Sequence, residues 1–134
     1  MRNDRLARSY FKNARLRLEM AEMFLRKGVY HLSFQNSQGA IEFFLKAVLR
    51  AMGIEYPKEH EVSDILERII SKLPVYFREN IKRIKRISKE GARKRGLSIY
   101  GDEVRGIPAE ELIEREDAES LLDGAKYIGG LVER

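Results

Sequence analysis

The sequence predicts an all-α protein, an up-and-down antiparallel bundle of four to five helices forming a single domain over residues 1–134. Three observations lead there. No segment alternates apolar and polar residues in the way a half-buried strand requires. Apolar stripes at helical spacing recur along the chain and are separated by Gly and Pro. One stretch, Leu32 to Gly53, is apolar on nearly every side of a helix, so it needs other helices packed around it. A chain of 134 residues is long enough to bury a core of its own.

The first helix is expected from about Asn3 to Lys27. Leu6, Tyr10, Ala14, Leu18, Ala21 and Leu25 trace one apolar face, and Gly28 stops it. A second stripe, Leu16, Met20 and Met23, lies on another side; it faces either the same bundle or another subunit. Only Gly28 and Val29 precede the central helix, which makes the first two helices an antiparallel hairpin. In the central helix Leu32, Ala40, Phe43, Phe44 and Ala47 fill one side, and Ile41, Leu45, Val48 and Leu49 extend it round the back. A single polar line remains: Gln35, Gln38, Glu42 and Lys46. It must meet a water-filled slit, polar groups of a neighbour, or a partner. Glu42 and Lys46, four apart with the acid first, also support the helix and could simply solubilise one exposed edge.

Gly53 caps that helix, and Pro57 holds Tyr56 out of helical geometry. A short helix follows over about Val62 to Leu73, with Ile65, Leu66, Ile69, Ile70 and Leu73 inward, and Pro74 ends it. The next helix is expected from Val75 to Arg95. Phe77, Ile81, Ile84 and Ala92 mark its apolar side; Lys82, Lys85, Arg86, Lys89 and Arg93 cluster within about 100° on the other. Arg95 projects from the apolar side towards the domain. The run GLSIYGDEVRGIPAEEL then reads as a loop before a last helix from about Glu114 to Val132, with Ala118, Leu121, Ala125, Ile128 and Val132 buried.

Composition narrows the chemistry. With no cysteine there is no disulfide, thiol catalysis or thiolate metal site. His31 and His60 stand far apart without metal-ligand spacing, so neither a metal nor a cofactor is expected. No phosphate-cradling glycine motif of the Walker or dinucleotide type occurs. No apolar run approaches the roughly 20 residues that span a bilayer, and the first ten residues are too polar for a signal peptide. The expectation is a cytoplasmic protein without membrane contact. A net charge of +5 leans towards an anionic partner. Abundant Glu, Lys and Arg without Cys or Trp fit a thermophile.

The run QNSQGAIEFFLKAVLRAMGIEYPKEHEVSDIL resembles the core signature of HEPN domains. It places Glu42 and Lys46 one turn apart, then Gly53, Pro57 and His60, followed by Ile65 and Leu66. The resemblance resumes at Tyr100, Gly101, Asp102 and Glu103 and ends in an Ala-rich last helix. It implies a small helical domain that pairs into a homodimer. Many HEPN proteins are metal-independent RNases or toxins derived from them, carrying an Arg followed four to six residues later by a His. In such a pair the His moves protons and the Arg stabilises charge building on phosphate. Here Arg93 and Arg95 fall in that region, but residues 96–100 contain no His and none follows His60. The resemblance gives His60, Gly53 and Pro57 structural roles.

Three readings follow. The first is a catalytically silent HEPN module, partner of a minimal nucleotidyltransferase in a toxin–antitoxin-like system. Gln35, Gln38, Glu42, Lys46, Asp102 and Glu103 would then serve binding or the interface and contribute to a nucleotide pocket. Asp102 and Glu103 otherwise pair with nearby cations and order their loop. The second is an RNase using Arg95 with Tyr100, although a phenol with an ordinary pKa near 10 is a poor base at neutral pH. The third is a nucleic-acid-binding helix resting on Lys82, Lys85, Arg86, Lys89 and Arg93. Such a stripe is ordinarily a solvated face, and this one lacks interleaved aromatics for base stacking.

Overall fold

The structure, a computed structural model, describes residues 2–54 and 62–133. Pro57 and His60 lie outside the described residues. In chain order the helices are α1 (Arg2–Arg26), α2 (Tyr30–Ala51), α3 (Val62–Arg68), α4 (Val75–Arg78), α5 (Ile81–Tyr100), α6 (Ala109–Leu112) and α7 (Arg115–Val132), with a 3₁₀ turn at Ile70–Lys72. The fold is all-α, and α1, α2, α5 and α7 carry the bundle. Among the described residues the one extended pairing is an isolated bridge between Asp102 and Ile107.

Helix α2 is the axis. Ten of its residues are buried, and it packs against α1, α5 and α7. Its hairpin with α1 closes at Gly28, whose φ of 76° lets Val29 N donate to the Phe24 carbonyl at 2.9 Å. Small residues then bring the two helices close: Ala14 and Ala21 face Ala40 and Ser33, all of them fully buried. Ser33 Oγ donates to the Ala21 carbonyl at 2.8 Å, which fixes the register of the pair. On α7 a glycine makes room for an aromatic, with Phe44 lying against Gly129. Phe11 meets Phe44 edge-on with centroids 5.7 Å apart. Leu66, Phe77, Ile84, Leu121 and Ile128 complete the core from the remaining helices.

Three features of the helix boundaries differ from the sequence expectation. The helix expected over 75–95 is two: α4 ends at Arg78, and Asn80 folds back, donating from Nδ2 to the Tyr76 carbonyl at 2.6 Å. Tyr127 of α7 donates its hydroxyl to Asn80 Oδ1 and ties down the break. The second piece, α5, runs five residues beyond Arg95, so Gly96 to Tyr100 are helical rather than loop. Ala92, assigned to the apolar side, is exposed. The helix expected over 62–73 divides into α3 and the 3₁₀ turn.

Candidate functional site

The polar line of α2 meets a cleft. A cavity of about 320 Å³ lies over it, lined by Gln35, Asn36, Gln38, Gly39, Glu42 and Phe43 from α2, Arg17 from α1, and Arg95 and Ile99 from α5. Helix α2 forms the floor, and α1 and α5 supply the walls. Arg95 and Ile99, four residues apart, reach the cleft together because helical neighbours at that spacing share a side. Tyr100, five residues from Arg95, is turned about 140° away on a helix of 3.6 residues per turn. It is 68% exposed and does not line the cleft.

The position of Arg17 depends on Gly39. A Cβ at Gly39 would stand 2.8 Å from Arg17 Nη1 and 3.1 Å from its Cδ, so the bare backbone is what lets this arginine lie down across α2. Its guanidinium carbon sits 5.0 Å from the centroid of Phe43, within cation–π range. Tyr10 packs on the same ring at 5.6 Å. Gln35 Nε2 donates to the Ser98 carbonyl at 2.6 Å and fastens the end of α5 to the floor. Glu42 accepts an ion pair from Lys46 at 3.3 Å.

The HEPN domain family matches residues 7–134. The chain belongs to the HEPN family. Its fold is similar to the crystal structure of TT1696 from Thermus thermophilus, at 25% identity and a TM-score of 0.68, with 95% of each chain covered. No curated protein matches the sequence.

The other sequence-derived positions of this HEPN domain lie elsewhere. The basic residues of α5 are largely engaged: Lys85 contacts Glu67 and Asp64, Lys89 is 3.3 Å from Asp64, and Arg93 is 3.1 Å from Glu90. The hydrogen bond with Glu67 raises the Lys85 pKa above its ordinary value, outweighing desolvation. Lys82 and Arg86 are exposed on the same helix. Asp102 orders its loop by accepting from Arg105 N at 3.0 Å, and Glu103 is exposed. Gly53, with φ of 74°, follows the end of α2. His31 is 3.8 Å from Glu110 of α6, away from the cleft lining.

Sequence reasoning missed Arg17, Asn36, Gly39 and Ile99. Arg17 and Ile99 arrive by tertiary packing and leave no local trace. Gly39 did leave one, because a glycine inside a strongly helical run signals a close approach by a neighbour. No group of three or more metal-ligating side chains occurs among the described residues. Nor is any described helix long and apolar enough to cross a membrane.

Proposed function

We propose that the protein is a catalytically silent HEPN module that works in the cytoplasm as partner of a minimal nucleotidyltransferase, in a toxin–antitoxin-like pair. In this reading the cleft contributes to nucleotide binding and the partner performs the chemistry. One observation carries it: among the described residues the cleft gathers binding groups without a group suited to proton transfer. Arg17, Arg95 and Gln38 can hold an anionic or polar ligand beside Gln35, whose amide is bonded to the Ser98 carbonyl, whereas the cleft's carboxylate is engaged by Lys46 and His31 is held beside Glu110. RNA cleavage without metal needs one group to take the 2′-hydroxyl proton and another to protonate the leaving oxygen, assistance worth about 10²–10⁴-fold. The engaged basic stripe of α5 weighs against a plain nucleic-acid-binding helix. Subunit pairing belongs to the same proposal, with Leu16, Met20 and Met23 of α1 as the apolar contact; Leu16 and Met20 are 52% and 45% exposed, and Met23 is half-buried.

The test combines three measurements on the purified chain. Co-expressed with a minimal nucleotidyltransferase from the same genome, the chain should co-purify in a stable complex. Incubated alone with labelled RNA in EDTA, it should leave the RNA intact. By light scattering it should be a dimer at micromolar concentration. RNA cleavage by the wild type that is lost in Arg95→Ala would establish the RNase reading instead.

A further inference from the structure

We propose that Arg17 and Arg95 form a two-guanidinium clamp for a dianionic phosphate, free or carried as a phosphate monoester. This rests on the reading of the cleft as a binding site and names the group it takes. Several cations elsewhere on α2 and α5 have acidic partners: Lys46 with Glu42, Lys89 with Asp64, Arg93 with Glu90, Lys94 with Asp117. Arg17 and Arg95 pair with no carboxylate among the described residues, yet both line one cavity of about 320 Å³. Two like charges directed into one cleft repel, and an anion with two charges relieves the repulsion while gaining from both. A phosphate monoester carries between one and a half and two negative charges near neutral pH, by the general value of its second pKa near 6. The planar fork of a guanidinium matches its oxygens in pairs.

Three details agree with this assignment. Gly39 is the cradle: its missing Cβ lets the side chain of the exposed Arg17 lie against α2 at the rim of the cleft. The amide of Gln35 is already spent on the Ser98 carbonyl, which leaves the neighbouring Gln38 to contact a ligand. Glu42, the acidic group of the lining, is offset by Lys46 at 3.3 Å and does not cancel the arginines.

The experiment titrates the full-length chain with inorganic phosphate, AMP and adenosine by calorimetry at moderate salt. Phosphate and AMP should bind, and adenosine at least tenfold more weakly than AMP. Arg17→Gln and Arg95→Gln should each weaken AMP by about tenfold or more, the usual scale for a charged hydrogen bond. Glu42→Gln should tighten it a few-fold, the opposite sign, which general damage to the fold would not produce. Gly39→Ala keeps every charge and improves helix propensity. It should weaken AMP while leaving the thermal midpoint unchanged or higher, since its only clash is with a flexible side chain. Equal binding of adenosine and AMP, or an unchanged affinity in Arg17→Gln, would overturn the clamp. Co-purification with the nucleotidyltransferase is scored separately, so a failed clamp with an intact complex removes this inference alone.

Discussion

At Gly129 of α7 a Cβ would stand 2.8 Å from Phe44 Cζ and 3.0 Å from Cε2. That ring is 1% exposed and is also in edge contact with Phe11, so it cannot swing away as the exposed Arg17 can from Gly39. The same substitution therefore has opposite consequences in two helices. Gly129→Ala should lower stability by about 1–3 kcal/mol through overpacking, despite the roughly 1 kcal/mol that Ala gains in a helix. Phe44→Ala, which empties the space instead, should cost about 3–5 kcal/mol. Urea midpoints of the two variants decide the matter: a rise in Gly129→Ala would mean that the ring is not confined.

Between elements, α5 and α7 are joined by Lys94 and Asp117. Lys94 Nζ donates to Asp117 Oδ1 at 2.7 Å, and Glu114 N donates to Oδ2 at 2.9 Å. Burial alone would push the Asp117 carboxyl up. The hydrogen bonds from Lys94 and the Glu114 backbone outweigh it and hold the group below its ordinary value. The bond to Asp117 likewise raises Lys94 against the opposing effect of desolvation. A lowered carboxylate stabilises the fold above its unfolded pKa, about 3.9, and loses that contribution as pH falls through the folded value. A raised amine contributes fully below about 10.4 and loses its share as pH rises through its folded value. Asp117→Asn should therefore cost about 1 kcal/mol at neutral pH and show a shallower loss of stability below about pH 4. Parallel acid limbs for wild type and variant in urea titrations would refute the assignment. Where α5 ends is harder to read from sequence than that α5 exists. Gly96 reads as the stop, but it is exposed and stays helical, and the Gln35 amide grips the chain at Ser98. The true stop is Gly101, with φ of 73° and a missing Cβ that would collide with the Ile107 carbonyl oxygen.

Over the whole molecule, the four long helices were legible because each repeats its apolar stripe over several turns. Helices α4 and α6, four residues each, are too short to display a period, and tertiary contacts such as Tyr127 with Asn80 define them. The cleft was half legible. Its floor is one polar line in one helix, while its walls come from residues that only folding brings near. The tight joint at Lys27 to Val29 bears on the order in which all this assembles. A three-residue connection closes at little entropic cost, so α1 and α2 can dock before any distant helix arrives. In refolding kinetics Ala14→Gly and Ser33→Ala should chiefly slow folding, and Ile128→Val should chiefly speed unfolding. The reverse pattern would place the nucleus at α7. During synthesis the hairpin can therefore form as soon as α2 is complete, with the rest of its apolar surface left for α5 and then α7 to cover.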